Sequence, residues 1–325
     1  MIMAICLFAA KRITAICLLF LSFIAIVATG ISPLFAQQHK NKDDVVPLVA
    51  SLNAYSFSDL LMARNDRDKQ PVYTYFNLLD WCATKNIKAL DATAYFFPTY
   101  PDVPSDEYLQ SFKKRAAALG VVISGTGIRN NFASTDSNKR AEGVQLAKNW
   151  IVAASKMGAP VIRLFAGDRP AGYEDKWNEV AAWMIDCYKQ LVPLAEQYHI
   201  KIGIQNHGDM LRTADECKFI LAAVNSKWVG LIVDVGNFKT EDPYKDIAAV
   251  VPYAVNWQIK ESVFGLESDV PTDYKRLIKI IKDGGYKGYL PIETLAVRDK
   301  PYDPFMLVPQ MLNKVSAAID SVYKY

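Results

Sequence analysis

The chain has 325 residues, 51% of them hydrophobic, and a formal net charge of +3, with 37 Lys and Arg set against 34 Asp and Glu. So even a balance gives no electrostatic footprint for nucleic acid or an acidic surface, and a small neutral molecule is the better-suited partner. The length is ample for one large core.

At the N-terminus, Lys11 and Arg12 precede an uncharged run, Ile13 to Ala36, rich in Leu, Ile, Phe and Ala. A basic start followed by an apolar stretch is the pattern of a secretory signal. Cleavage is expected after Ala36, with Ala28-Thr29-Gly30 as a second candidate. The run is also long enough to cross a bilayer, so an uncleaved anchor is the competing reading. Residues 1-36 are thus expected to direct export, to the periplasm or the medium, and 45-325 to form the folded domain. Without the first 36 residues, 289 of the 325 remain and the charge falls by two, from +3 to +1. Of the five cysteines, Cys82, Cys187 and Cys217 remain, in predicted helices and without metal-ligand spacing. An odd number cannot all pair within the chain, and they are expected to be small buried apolar residues.

Eight short Val/Ile/Leu-rich runs then recur, each ending in polar residues: VPLVASLN to Asn53, KALDAT to Thr93, VVISGTG to Gly127, PVIRLF to Phe165, KIGIQN to Asn206, WVGLIVD to Asp234, YAVNWQIK to Lys260 and GYLPIE to Glu293. Runs of this kind suit strands of a parallel sheet buried on both faces. Between them lie helical patterns: Trp177, Val180, Ala181, Met184, Tyr188, Leu191 and Ala195 make one apolar stripe, and Val308, Met311, Leu312, Val315, Ile319 and Val322 another. Ser105 before Asp106 and Glu107, Thr213 three before Glu216, and Asp242 before Pro243 mark helix starts. Pro193 predicts a kink or an early end within its helix. Eight strand-helix units with no glycine-rich phosphate loop after the first strand predict an α/β fold of the (β/α)8 TIM-barrel type rather than an open dinucleotide-binding sheet.

Strand ends and the loops after them build the active face of such a barrel. The endings here are Asn53, Asp91, Arg129 with Asn130 and Asn131, Arg163, Gln205 with His207, Asp234 with Asn237, Gln258 with Lys260 and Glu261, and Glu293. Lys260 follows Gln258 by two, so along a strand the two share a face. The aromatic stretch Tyr95 to Tyr100 follows the second strand, where its rings can line the apolar side of a small molecule or pack the loop against Trp257 or Phe264.

These segments, SLNAYSF, SGTGIRNNF, PVIRLFAG, GIQNHGD, DVGNF, NWQIKE and LPIETL, together resemble the xylose-isomerase-like barrels of the sugar phosphate isomerase/epimerase superfamily, which also contains tagatose epimerase and endonuclease IV. The resemblance implies a site at the ends of the last four strands where Glu, Asp, His and Glu hold a divalent metal. Matched position by position, these become Gln205, Asp234, Gln258 and Glu293. Two amides replace a carboxylate and an imidazole. A metal held here would be weakly held, and Mn, Mg or Ca would suit it better than Zn; a centre with none is the other expectation. The endonuclease branch needs several histidines, whereas the mature chain has His39, His199 and His207, the first two placed away from the rim.

An amide such as Gln205 has no useful basicity, so proton passage between two carboxylates is not expected. Glu293, His207 and Lys260 are expected to act in catalysis, with Asn53, Asp91, Arg129, Asn131, Arg163, Asn237 and Glu261 contacting substrate. The resemblance implies proton transfer next to a carbonyl of a carbohydrate. Keto-glycoside elimination or hydration by the same enediolate chemistry, and a non-catalytic sugar-binding barrel, are the alternatives. Export favours an unphosphorylated sugar, and the oligomeric state is left open. Sequencing the N-terminus of the protein after export should read from Gln37; a chain that still begins at Met1 would make residues 1-36 an anchor.

Overall fold

The computed structural model describes residues 48–67, 70–208, 210–264, 270–296 and 301–323. The expected signal, residues 1-36, and the expected start of the domain at 45 lie outside them. All eight apolar runs form strands: β1 Val49–Asn53, β2 Ala89–Thr93, β3 Val122–Gly127, β4 Val161–Phe165, β5 Lys201–Gln205, β6 Val229–Asp234, β7 Ala254–Gln258 and β8 Tyr289–Ile292. A helix follows each: α1 Tyr75–Thr84, α2 Asp106–Ala118, α3 Ser137–Met157, α4 Trp177–Tyr198, α5 Ala214–Val224, α6 Pro243–Val250, α7 Tyr274–Asp283 and α8 Pro304–Tyr323. Every strand pairing is parallel, in the order β7-β6-β5-β4-β3-β2-β1-β8.

The last seam closes through a parallel bridge just beyond β7, Ile259 to Ile292. Ile259 N donates to Pro291 O at 2.9 Å, and Glu293 N donates to Ile259 O at 2.9 Å. The seam is short for a covalent reason. In parallel pairing the next bond inward would run from the N–H of residue 291 to Trp257, and Pro291 has no N–H to give. The closing bridge therefore sits at the strand ends, where it sets the backbones of Lys260 and Glu293 side by side.

The helices dock by the expected stripes. On α4, Val180, Ala181, Met184, Tyr188, Leu191 and Ala195 are fully buried, each large one contributing about 1.5–3 kcal/mol by leaving water. Thr213 and Glu216 form a reciprocal capping box on α5, and Ser105 caps α2. Asp242 precedes Pro243 at the start of α6 without a side-chain cap bond. Cys82, Cys187 and Cys217 are free thiols, buried as expected, and burial pushes the Cys82 thiol up to about 12.

The early helix end expected at Pro193 does not occur, since α4 runs through it to Tyr198. Pro193 and Lys189, whose carbonyl loses its partner, both face solvent. Water can satisfy the orphaned oxygen, and the helix does not have to end. His199, left-handed at φ 55°, terminates it instead. Pro193→Ala should restore that bond and raise stability by about 1–3 kcal/mol, read as a higher urea midpoint. An unchanged or lower midpoint would mean that the proline is compensated elsewhere in the helix.

Candidate functional site

Gln205 ends β5, Asp234 ends β6, Gln258 ends β7, and Lys260 and Glu293 lie just past the ends of β7 and β8. The barrel brings all five together. Gln205 Nε2 donates to Asp234 Oδ2 at 2.7 Å and to Gln258 Oε1 at 2.6 Å. The Lys260 ammonium hydrogen-bonds Glu293 Oε1 and lies 3.7 Å from Asp234 Oδ2. Asp234 and Glu293 are buried, their side chains 0% and 6% exposed, and Lys260 is nearly so at 11%. Their charges, one positive and two negative, leave a net of −1. Burial alone would disfavour the ammonium, but Asp234, Glu293 and its hydrogen bond to Glu293 outweigh that and hold the Lys260 pKa above its ordinary value.

Asp234 is fixed at every polar atom. Its N–H donates to Asn206 Oδ1 at 2.8 Å and its C=O accepts from Asn206 Nδ2 at 2.9 Å. Oδ1 accepts from Gly236 N at 3.1 Å, while Oδ2 takes Gln205. The Asn206 side chain thus acts as an added rung between β5 and β6. Asn130 repeats the device between β3 and β4, donating to Phe165 O and accepting from Phe165 N, both at 2.8 Å.

Across the rim, β3 supplies space rather than groups. A methyl on Gly127 would come within 2.5 Å of Arg163 Nε, and one on Gly125 within 2.5 Å of Asp91 Oδ2. The two glycines let Arg163 and Asp91 lie inside the barrel. Arg163 donates to Tyr95 Oη at 3.1 Å and to Ile128 O at 3.3 Å, and its guanidinium carbon lies 4.0 Å from the Phe165 ring centre. Asp91 accepts from Asn256 Nδ2 at 2.9 Å. Burial raises its carboxyl to about 6, against the lowering pull of Arg163, with Glu293 raising it further and the Asn256 bond lowering it.

The His207 ring centre lies 4.9 Å from that of Phe165, and the residue is exposed. Its pKa is held below the ordinary value by partial desolvation, with Asp234 pulling upward and Lys260 and Arg163 downward. It is the imidazole of this rim and largely neutral near pH 7.

The other expected substrate residues have different surroundings. Asn53 is buried, accepting from Tyr55 N at 2.9 Å to cap the turn Ala54–Phe57. Asn131 accepts from Ala133 N at 3.0 Å, and the exposed Arg129 lies with its guanidinium carbon 4.3 Å from the Tyr95 ring centre. Asn237 is half-buried and donates its backbone N–H to Asp234 O at 3.3 Å. Glu261 is exposed; desolvation raises its carboxyl while Lys314 on α8 lowers it. In the aromatic stretch, Phe97 packs against Tyr75, Phe112 and Trp150, whereas Trp257 lies against Tyr286. Tyr95 is half-buried, edge-on to Tyr55. Tyr55, Asn206 and Asn256 are residues of this end of the barrel beyond the expected set, while Tyr95 belongs to the aromatic stretch already singled out; GIQNHG carried a signal for Asn206, an amide next to a strand-end polar group. A separate cavity lined by Lys201, Ala254, Gly284 and Lys287 opens at the opposite ends of the strands and touches none of these groups.

The donor set does not fit a divalent ion as it stands. A bound cation would need oxygens converging on it, yet an amide N–H of Gln205 occupies Asp234 and Gln258. The reverse amide orientation would set an oxygen against the Asp234 carboxylate unless a cation lay between them. An ammonium already touches the remaining acid. One carbonyl, Gln205 Oε1, is buried without a partner, a single neutral acceptor. No group of three or more His, Cys, Asp or Glu arranged for a metal occurs among the described residues.

A search of curated proteins finds no match. Among solved structures, the fold is similar to the D-psicose 3-epimerase of Clostridium cellulolyticum H10, at 14% identity and a TM-score of 0.64 over 84% of this chain and 98% of that one. It is similar to 3-keto-D-glucoside 4-epimerase from E. coli, at 10% identity and 0.66 over 83% and 99%. An L-ribulose 3-epimerase gives 16% identity and 0.66 over 85% and 95%. The family model described as xylose isomerase-like TIM barrel matches residues 83–311. With eight parallel strands closed as above and this match over most of its length, the chain belongs to the xylose isomerase-like TIM barrel family.

Proposed function

We propose that this protein is an isomerase- or epimerase-type enzyme that moves a proton next to a carbonyl of an unphosphorylated carbohydrate, outside the cytoplasm. The observation that carries the reading is the pairing of a buried carboxylate, Glu293, with a buried ammonium, Lys260, at a rim that also holds Arg163 and His207. The three similar structures, each named as a sugar or keto-glucoside epimerase, support the substrate class.

Glu293 takes the proton from the carbon beside the carbonyl, and the C–H electron pair becomes the C=C bond of an enediolate. The carbonyl oxygen gains the negative charge, which Lys260 and Arg163 stabilise from positions held by the barrel. The protonated Glu293 then returns the proton to the neighbouring carbon, or to the same carbon, while the neutral His207 relays the hydroxyl proton. Gln205 is neutral and works by positioning: its amide N–H groups hold Asp234 and Gln258 in place beside the Lys260–Glu293 pair. A single base makes one-face isomerisation the favoured outcome over exchange between two faces.

The test is hydrogen exchange in deuterated water, followed by NMR, across ketohexoses, ketopentoses and 3-keto-glucosides. One carbon-bound proton should exchange in at least one member. Glu293→Gln should cut the rate by about 10²–10⁴-fold while sugar still raises the melting temperature. Binding without exchange in the wild type would make the protein a sugar-binding barrel; neither binding nor exchange would overturn the carbohydrate reading.

A further inference from the structure

We propose that the Lys260 ammonium is the resident cation of this centre, standing in place of a divalent metal among Gln205, Asp234, Gln258 and Glu293, so that the site is complete without a metal ion. The inference goes beyond the sugar reading and does not depend on it.

Three independent features are built around the lysine. The first is its anchorage. The Ile259–Ile292 bridge fixes the residue before Lys260 and the residue before Glu293, and Thr272 Oγ1 donates to Lys260 O at 2.9 Å. The second is space for its stem. A methyl on Gly236 would lie 3.0 Å from Lys260 Cγ, so a side chain at 236 would crowd the path by which the lysine enters. The third is the match of charges. The two strand-end acids that persist, Asp234 and Glu293, are the two that Lys260 Nζ approaches. The two positions that carry amides are tied to each other and to Asp234 through Gln205 Nε2.

The substitutions and the lysine explain one another. Two carboxylates need one compact cation beside them, and a buried ammonium supplies it. A third carboxylate at 205 would take the centre from a net charge of −1 to −2. A divalent ion arriving with Lys260 present would be set beside an ammonium while losing hydrogen bonds that Asp234 already has. An ammonium also differs from a metal in what it offers substrate: hydrogen-bond donors to a developing oxyanion instead of open coordination positions. Such a cation cannot be stripped by a chelator.

The wild-type protein, purified and treated with EDTA, is titrated with MnCl2 and, separately, MgCl2 by calorimetry, with melting temperature as a second readout. The triple variant Gln205→Glu, Gln258→His, Lys260→Ala is titrated in parallel. The wild type should show no saturable binding and the same melting temperature with Mn2+ as with EDTA. The triple variant should bind one Mn2+ per chain saturably and be stabilised by it. One equivalent of ion bound by the wild type, lost to EDTA and regained, would overturn the proposal. So would a folded triple variant that binds Mn2+ no better than the wild type. Should the triple variant not fold, the wild-type titration decides alone. Proton exchange plays no part in either arm, so failure of the sugar reading leaves this result intact.

Discussion

Two carboxylates buried at a barrel mouth cannot both stay charged without a cation beside them, and that constraint organises this end of the molecule. Asp234 and Glu293 come from strands 59 positions apart in the sequence, yet one ammonium touches the second and lies near the first. Removing one member of such a set leaves an uncompensated buried charge, commonly at a cost of about 3–5 kcal/mol. The centre therefore ties function to stability. It also accounts for the surrounding backbone: the bridge that closes β7 onto β8 is the one that brings Lys260 beside Glu293.

The two halves of the rim are built differently. On the β5 to β8 side, side chains bond to one another and form the charged centre. On the β1 to β4 side they mostly bond backbone: Asn53 caps a turn, Asn130 extends the sheet and Asn131 holds its own loop. Arg163 and Asp91 are the exceptions, lying within the barrel because Gly125 and Gly127 leave the room. The Phe165 ring joins the halves, with Arg163 over it and His207 beside it.

The architecture could be read from the sequence because it depends on local pattern. Apolar runs such as KIGIQN and WVGLIVD have no amphipathic alternative to a buried parallel strand, and all eight appear where their composition places them. The convergence of Gln205, Asp234, Gln258 and Glu293 was legible too, as strand ends of one barrel share a face. Partnership among those side chains was not. Nothing in NWQIKES tells whether Lys260 neutralises the adjacent Glu261 or the distant Glu293, since the choice is made by the β7–β8 seam, and Pro291 shapes that seam from another segment. Likewise, Gln205 reads as an oxygen donor in sequence, and only the neighbouring Asp234 and Gln258 acceptors turn its N–H inward. Asn53 shows a further limit of sequence reading: the turn that follows the strand takes its side-chain oxygen, which the run VPLVASLN does not announce.

The central claim is that Lys260 and its acids form one coupled unit, and a double-mutant cycle measures that coupling directly. Urea unfolding of the wild type, Lys260→Met, Glu293→Gln and the pair gives the interaction energy as the departure from additivity. A coupling of at least about 1.5 kcal/mol, with the double variant more stable than the sum of the single losses allows, is the predicted result. Losses that add to within about 0.5 kcal/mol would mean that the two charges do not depend on one another, and the account of this site would be wrong.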